Sequence, residues 1–328
     1  MQAKPISLAQ VAGLCAALLA AAPALAQDKV WRHAVIEPKG DAGFTLMVQG
    51  GGFAAKRGLK LEVVSMKNGA IAHKALLAGE VESIESSPGA AILAGARGAD
   101  IKILGCDWPG VPQGILARGS IAKIEDLKGK TVAVAAPGSL PNLVIAAVLD
   151  KYKIPQAEVH LAPMGDDADR FKALVNGAVD AGVIAAEFLS VAPPEIKLLA
   201  ETHDVMPNYI RLCLTMTGAT LKARHDEAVR FVAAEIEALR FAVSHPQETI
   251  KLTRDTIHTK PDDPRAKYAF DYTVKNHLVD PEVSLPLDKL QWMQNQLVEL
   301  GDLKKPIDIA KLTAPDARAE AMKLAGAK

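Results

Sequence analysis

The sequence is poor in cysteine, in aromatic residues and in net charge, and each shortage excludes a class of function. Three cysteines in 328 residues are too few for a structural zinc or iron–sulfur site. Aromatic residues make up 4% of the chain, which argues against a broad stacking surface for nucleic acid. Basic and acidic residues balance at 38 each, so the chain does not attract polyanions at long range. We therefore expect no nucleic-acid partner.

The longest apolar run lies at the start of the chain. Residues 1–26 carry one basic residue, Lys4, then an Ala- and Leu-rich stretch that ends in Ala24-Leu25-Ala26. This is the layout of a secretory signal peptide, and it predicts cleavage before Gln27 and a periplasmic mature protein. Cys15 does not indicate a lipoprotein, because Leu14 stands where a small residue is needed. No later run approaches membrane-spanning length, so we expect a freely soluble mature protein.

Two cysteines remain in the mature chain, Cys106 and Cys213. An oxidising compartment would permit a disulfide between them. Both, however, lie in apolar, strand-like segments, where a free thiol serves as a small hydrophobic side chain. The sequence favours free thiols and leaves the bridge open.

The mature chain alternates short apolar runs with helix-like segments, which is typical of an α/β fold with parallel-rich sheets. Its length of about 300 residues suits two domains. Helical periodicity is clear over Glu227–Val243 and Leu287–Leu300. The predicted strands are Val30–Ile36, Leu59–Val64, Val81–Ile84, Ile101–Leu104, Gly114–Ala117, Thr131–Ala135, Val159–Ala162, Ala181–Ala185, Lys197–Ala200 and Tyr209–Met216.

Four of these strands are followed by a short polar turn and then a helix. The turns contain Asp41, Asn68, Ser87 and Ser139, all residue types that cap helix N-termini. In open α/β sheets, the turns at the carboxyl ends of strands line the binding crevice. We therefore expect the four turns to face one cleft, where helix N-termini could meet an anionic or hydrogen-bond-accepting ligand.

An ordered set of four segments resembles a known family, the periplasmic solute-binding proteins of ABC importers, in the group that includes sulfonate, taurine, nitrate and thiamine-precursor binders. The segments are GGFAAKRGLKLEVV, LAGEVESIESSPGAAILAGARGADIKILG, DLKGKTVAVAAPGS and LVNGAVDAGVIAAEF. The resemblance covers roughly residues 30–243. It implies a type II, two-lobed Venus-flytrap fold in which each lobe is a mixed sheet flanked by helices.

The resemblance also implies a domain division and partners. Lobe I would combine residues 28–112 and 213–328, and lobe II would comprise residues 113–212. A small organic solute, such as a sulfonate or carboxylate, would be held between the lobes and delivered to a permease in the inner membrane. We expect a monomer. An aminopyrimidine or other thiamine precursor is the alternative ligand.

Five residues match the family's ligand-contacting positions. Ser86 and Ser87 match the loop before the third helix, Gly138 and Ser139 match the helix-terminus contact of the second lobe, and Glu187 matches an acidic residue at a strand end. The sequence departs from the family where Glu82-Ser83-Ile84 replaces Asp-Phe-Gly, and where Phe188 replaces a proline. These departures leave the ligand class open.

Acidic residues are also frequent near the predicted strand ends. An acidic rim would suit a ligand with an amine or a ring N–H, and Lys39 or Lys67 could balance an acidic group on it. Trp108 could stack on a flat or aliphatic ligand. The acidic candidates are Glu37, Asp41, Glu85, Asp107 and Glu187.

Catalytic, cofactor and metal sites are not predicted. The run from Gly50 to Ala55 satisfies GxGxxA, but it does not join a strand directly to a helix. No HExxH motif occurs, and Pro137–Pro141 lacks the outer glycines of a nucleophile elbow. A pyrimidine synthase of thiamine biosynthesis resembles the same fold, but its cysteine-rich motif is missing here. We therefore expect a binding protein that is not an enzyme, with an extracytoplasmic sensor subunit as a further alternative.

Overall fold

The computed structural model of the chain describes residues 29–135 and 139–326. The predicted signal peptide, residues 1–26, and the predicted contact Gly138 lie outside the described residues. None of the helices within the described ranges combines the length and the apolar composition that crossing a membrane requires.

The first part of the chain alternates strands with mostly short helices, and the described elements up to β5 are β1 (Trp31–Ile36), α1 (Ala42–Thr45), α2 (Met47–Gly50), α3 (Phe53–Lys56), β2 (Leu61–Met66), α4 (Gly69–Ala78), β3 (Ser83–Ser86), α5 (Pro88–Ala96), β4 (Ile101–Trp108) and β5 (Gln113–Arg118). The middle part contains β6 (Thr131–Val134), α6 (Leu140–Lys151), β7 (His160–Pro163), α7 (Asp167–Val175), β8 (Ala181–Ala185), a 3₁₀ helix (Ala186–Val191), β9 (Ile196–Glu201), α8 (Thr202–Val205) and β10 (Leu212–Thr217). The last part is helical, with α9 (Gly218–Ala223), α10 (His225–Ser244), α11 (Pro246–Ile257), α12 (Arg265–Lys275), α13 (Leu287–Glu299) and α14 (Pro315–Leu324).

The ten strands form two five-stranded mixed sheets. The first sheet has the order β2-β1-β3-β10-β4, and the second has the order β7-β6-β8-β5-β9. In each sheet one strand runs against its neighbours, namely β10 in the first sheet and β5 in the second. Helices flank both sheets, which confirms the predicted architecture of two mixed sheets with helices around them.

The chain passes between the sheets twice within the strand-bearing part. Residues 109–112 lead from β4 to β5, and residues 206–211 lead from α8 to β10. The two passages lie side by side, because the backbone N–H of Arg211 donates to the carbonyl oxygen of Trp108 at 2.9 Å. The lobe boundaries at 112/113 and 212/213 fall in or next to these passages and stay a prediction.

Each of the ten predicted strands overlaps an observed strand, but β3 and β4 extend further than their apolar runs. β3 reaches Ser86, and β4 continues to Trp108, which pairs with Leu212 of β10. Pairing with β10 explains the extra length. The predicted strand stopped short because Asp107 and Trp108, which are polar or aromatic, lie beyond the apolar run of β4. Both residues therefore lie inside a strand instead of in the turn after it.

The cysteines are joined. Cys106 of β4 and Cys213 of β10 form a disulfide between adjacent antiparallel strands of the first sheet. Both residues are buried, as their apolar setting predicted. The prediction that favoured free thiols was wrong, because the two cysteines are joined. Adjacent strands bring the two residues together despite a sequence separation of 107 residues.

Candidate functional site

A cavity of about 480 Å³ lies between the carboxyl-end turns of the two sheets. This volume is in the range of small-molecule sites. Its wall from the first sheet and its helices includes Ile36, Glu37, Lys39, Gly40, Asp41, Thr45, Gly69, Glu85, Ser86, Ser87, Ala269 and Thr273. Its wall from the second sheet and the passages includes Val111, Pro112, Gln113, Ala135, Leu140, Pro141, Gly165, Asp166, Asp167, Arg170, Ala185, Glu187, Tyr209 and Arg211, and Leu212 of β10 adds to the first-sheet wall.

An ion pair between Asp41 and Arg211 lies at the wall of the cavity. Arg211 Nη2 donates to Asp41 Oδ2, and the Arg211 guanidinium lies 4.8 Å from the ring centroid of Trp108. Burial alone would raise the pKa of Asp41, but the charge of Arg211 and the backbone N–H of Lys39 lower it below its ordinary value. Arg211 Nη1 has no hydrogen-bond partner among the described residues, so one donor face of the guanidinium is unused.

Behind the first-sheet wall lies a buried group of three carboxyls and one histidine. His33 Nε2 is 4.0 Å from Glu85 Oε2 and 4.0 Å from Glu235 Oε1. Burial lowers the pKa of His33 to about 3, so this ring is neutral near neutral pH. Burial, together with the charge of Glu235, raises the pKa of Glu85 to about 8. Burial and the neighbouring Glu85 also raise the pKa of Asp107 well above its ordinary value.

On the second-sheet side, Asp167 and Arg170 form a closed network. Arg170 donates to Asp167 Oδ1 at 2.6 Å and to the carbonyl oxygens of Val183 at 2.8 Å and Gly165 at 2.6 Å. Asp167 also accepts from the backbone N–H of Ala185 at 2.9 Å. Because these groups satisfy one another, the network holds the end of β8 and the start of α7 in place rather than offering free donors.

Three contacts join the two walls across the mouth of the cavity. Lys39 Nζ lies 3.9 Å from Asp167 Oδ2. Gly40 lies against Glu187, since a Cβ at Gly40 would be 2.7 Å from Glu187 Oε1. The Arg265 guanidinium of α12 lies 5.6 Å from the ring centroid of Phe188. The two walls are thus in contact in the described structure.

The comparisons with known proteins assign the family. The family described as NMT1/THI5 like matches residues 42–249, well over half of the chain. The chain belongs to the NMT1/THI5-like family. No curated protein matches the sequence significantly.

Solved structures share the fold of this NMT1/THI5-like chain. The periplasmic aliphatic sulphonate binding protein SsuA from Escherichia coli is similar with a TM-score of 0.71 and 20% identity, over 86% of this chain and 96% of that one. A ligand binding component of an ABC-type import system from Staphylococcus aureus, with zinc bound, has a TM-score of 0.67 and 17% identity, over 89% and 98% of the two chains. The desulfurization enzyme DSZB has a TM-score of 0.67 and 15% identity, over 89% and 99%. At these identities the likeness shows the fold, which binding proteins and an enzyme share.

The predicted contact residues of this NMT1/THI5-like chain divide into two groups. Five of them line the cavity: Glu37, Asp41, Ser86, Ser87 and Glu187. Asp107 and Trp108 do not, because β4 carries them into the interior, where Trp108 is fully buried against the edge of Phe44. Trp108 therefore supports Arg211 from behind rather than presenting a stacking face.

The turn residues were expected as helix caps, and only Asn68 acts as one through its side chain. Asn68 Oδ1 accepts from the backbone N–H of Ile71 at 3.0 Å. Asp41 is instead paired with Arg211, and Ser87 is hydrogen-bonded to Tyr209. Ser139 makes no side-chain cap bond, and its buried Oγ has no partner among the described residues. Ser139 itself is not part of the wall, although the following Leu140 and Pro141 are.

Sequence reasoning missed Arg211, Arg170, Asp167 and Tyr209 as wall residues. Arg211 carries a usable signal, because it is a single charge between Ile210 and Leu212 in an otherwise apolar run. Arg170 follows Asp167 by three residues, the spacing of a helical ion pair, but nothing local shows that the pair faces a cavity.

One metal-capable cluster occurs in the part of the chain that the structure describes. Glu201, His203 and Asp204 offer ligand atoms that all lie within 4.8 Å of one another. The cluster lies at the start of α8, and none of its members lines the cavity. We do not include it in the candidate site.

Proposed function

We propose that this protein is the extracytoplasmic solute-binding component of an ABC importer. It captures a small organic solute between lobe I (28–112 and 213–328) and lobe II (113–212) and delivers it to a permease. The observation that carries the proposal is a cavity whose wall comes from the turns of both sheets. The signal-peptide pattern of residues 1–26 supports a periplasmic location.

The mechanism is a hinge closure around the two passages. Residues 109–112 and 206–211 are the short segments that can absorb the rotation of one sheet against the other. Contacts of the solute with both walls favour the closed form, and the rim contacts Lys39–Asp167 and Arg265–Phe188 form only when the walls meet. A permease can then distinguish the loaded from the empty protein by the closed shape.

Binding without turnover is supported by the chemistry of the wall. Cys106 and Cys213 are consumed in a disulfide, so neither supplies a thiolate nucleophile. The described wall also has three cations, Lys39, Arg170 and Arg211, and each of them lies close to a carboxylate. This wall holds a solute by hydrogen bonds and charge and leaves its covalent bonds intact.

A thermal-shift panel tests the proposal. The panel contains sulfonates, carboxylates, nitrate, amines and aminopyrimidines, and native mass spectrometry of gently purified protein adds any solute that co-purifies. We expect at least one compound to raise the Tm in a dose-dependent way. Conversion of any panel compound to a product, or the absence of both a shift and a co-purified solute, would contradict the proposal.

A pair of variants tests the location of the site. Ser87→Trp places an indole in the cavity wall and is expected to abolish binding of the compound that shifts the Tm. Thr215→Ala changes a buried residue of β10 that does not line the cavity, and it should retain binding. Equal affinities in the two variants would remove the assignment of the cavity as the ligand site.

A further inference from the structure

The charges on the cavity wall are unevenly paired. Arg211 is paired with Asp41, Arg170 with Asp167, and Lys39 lies 3.9 Å from Asp167. No lysine or arginine forms a described salt bridge with Glu85 or Glu187. The basic group nearest to Glu85 is His33, which is neutral near neutral pH. Two wall carboxyls, Glu85 of β3 and Glu187 of the 3₁₀ helix after β8, therefore form no described salt bridge with a lysine or arginine.

The two carboxyls approach the same ion pair. Asp41 raises and Arg211 lowers the pKa of both Glu85 and Glu187, which means that both carboxyls lie within electrostatic reach of that pair. Glu85 is 5% exposed, and its Oε1 accepts no hydrogen bond from a donor in the described residues. With an uncharged or anionic solute the two buried carboxyls would stay protonated, because a buried charge without a partner is costly, whereas a solute with cationic N–H donors can pair with them as carboxylates.

The wall also indicates which kind of cation fits. Tyr209 is the one aromatic side chain among the described residues that line the cavity. Quaternary ammonium groups are recognised by cages of several aromatic rings, and this wall does not provide a cage. Carboxylates instead favour groups that carry N–H donors, such as a primary ammonium or an amidinium.

We propose that the solute carries an ammonium or amidinium group that binds between Glu187 and Glu85, and an oxygen acceptor that binds Arg211 Nη1. This inference rests on the proposed solute-binding function and names the ligand class of the same cavity. It separates this protein from its structural neighbour that is named as a sulphonate binding protein, because the preferred charge is of the opposite sign.

Binding of a cationic group at Glu85 and Glu187 should depend on pH. Glu85 faces Asp107, Glu235, His33 and the Asp41–Arg211 pair, and Glu187 faces Asp41, Asp167, Arg211 and Arg265. Burial raises the pKa of Glu187 to about 7 and that of Glu85 to about 8 in the empty cavity. A bound cation stabilises both carboxylates, so its binding releases protons, and its affinity should rise between about pH 6 and pH 8.5.

Matched probes that differ in the charged group test the inference. The pairs are benzamidine against benzenesulfonate and 4-aminobutyrate against butanesulfonate, measured by titration calorimetry with choline as the quaternary control. We expect the member of each pair that carries an amidinium or ammonium group to bind more tightly by about tenfold or more, and choline to bind weakly. Glu187→Gln should weaken cation binding by about tenfold and flatten its pH dependence. Glu195 is an exposed residue directly before β9 of the second sheet. Glu195→Gln should change neither the affinity for the cation nor its pH dependence.

The outcomes separate the inference from the proposed function. Cation binding that depends on Glu187 supports the inference. Preference for the sulfonates, or cation binding that Glu187→Gln leaves unchanged, overturns it while the solute-binding function stands. If no probe binds, the inference is overturned; a solute in the wider thermal-shift panel or in native mass spectra would then still support the function.

Discussion

At the scale of single residues, Arg211 decides most of the chemistry of the cavity. It lies in the passage 206–211, it pairs with Asp41 of the first sheet's wall, and it stacks on Trp108 at the end of β4. One side chain thus links the proposed hinge, the core and the cavity wall. Its surroundings also explain why Asp41, a residue of a helix-start motif, is ionised and paired instead of capping a helix.

Replacing Arg211 tests this linking role. Arg211→Met leaves Asp41 buried without a cation, and removing one partner of a buried pair is strongly destabilising. Since the Arg211 side chain is 25% exposed, we expect a loss of about 2–3 kcal/mol in the free energy of unfolding, measured with urea. Lys251→Met removes an exposed ion pair with Asp255 and should cost less than about 0.5 kcal/mol. Equal losses in the two variants would contradict the role of Arg211.

The wall carboxyls predict the pH dependence of stability for the empty protein. The raised pKa values of Glu187, about 7, and Glu85, about 8, mean that the folded protein keeps protons that the unfolded chain releases above its ordinary glutamate pKa of 4.5. Their contribution to stability is therefore fully present below that value and is lost as the pH rises through 7 to 8. In Glu187→Gln, the fall in Tm between about pH 5.5 and pH 8.5 should be smaller than in the parent. A profile that is equally steep in the variant would show that Glu187 does not hold a proton.

At the scale of elements, β4 and β10 form the base of the proposed hinge. They are neighbouring strands of the first sheet, each lies next to one of the two passages, and the disulfide Cys106–Cys213 joins them two residues away from Trp108 and Arg211. The bridge therefore holds together the two strands from which both passages leave the first sheet. This placement gives the disulfide a stabilising role at the point where the chain changes sheets.

Removing the bridge should destabilise the protein. The residues are separated by 107 positions, so the cross-link restricts a long loop in the unfolded chain. The double variant Cys106→Ala and Cys213→Ala should lose about 4 kcal/mol in urea unfolding, and the unreduced parent should resist alkylation of both thiols. Ready alkylation of the native parent without reductant would show that the cysteines are free.

The comparison of sequence with structure is also clearest at this scale. All ten strands could be predicted because each contains a short, largely apolar run, and the polar turns correctly indicated the edge where the cavity lies. The ends of β3 and β4 could not, because pairing with the distant β10 extends them over residues that are not apolar. For the same reason Asp107 and Trp108 were expected at the rim and lie in the interior.

The predicted site was incomplete where residues from distant segments meet. Arg211 pairs with Asp41 across 170 positions, and Lys39 reaches Asp167 across the cavity mouth. Local patterns do not contain such pairings. The sequence did not decide whether the disulfide forms, for a related reason. Two cysteines in apolar strands give the same sequence pattern whether or not their strands are neighbours.

At the scale of the whole molecule, the account depends on the movement of one sheet relative to the other. In the described structure the rims are in contact through Lys39–Asp167, Gly40–Glu187 and Arg265–Phe188. Two of these contacts involve long, partly exposed side chains, so each contributes little on its own. A bound solute would add contacts with both walls and shift the population toward the closed form.

Small-angle X-ray scattering of the purified protein, with and without a saturating concentration of a tightly bound compound, tests this most directly. We predict that the compound reduces the radius of gyration, and that Ser87→Trp, which cannot bind it, gives the same curve in both conditions. Identical curves for the parent protein with and without its bound compound would contradict closure of two lobes over a solute.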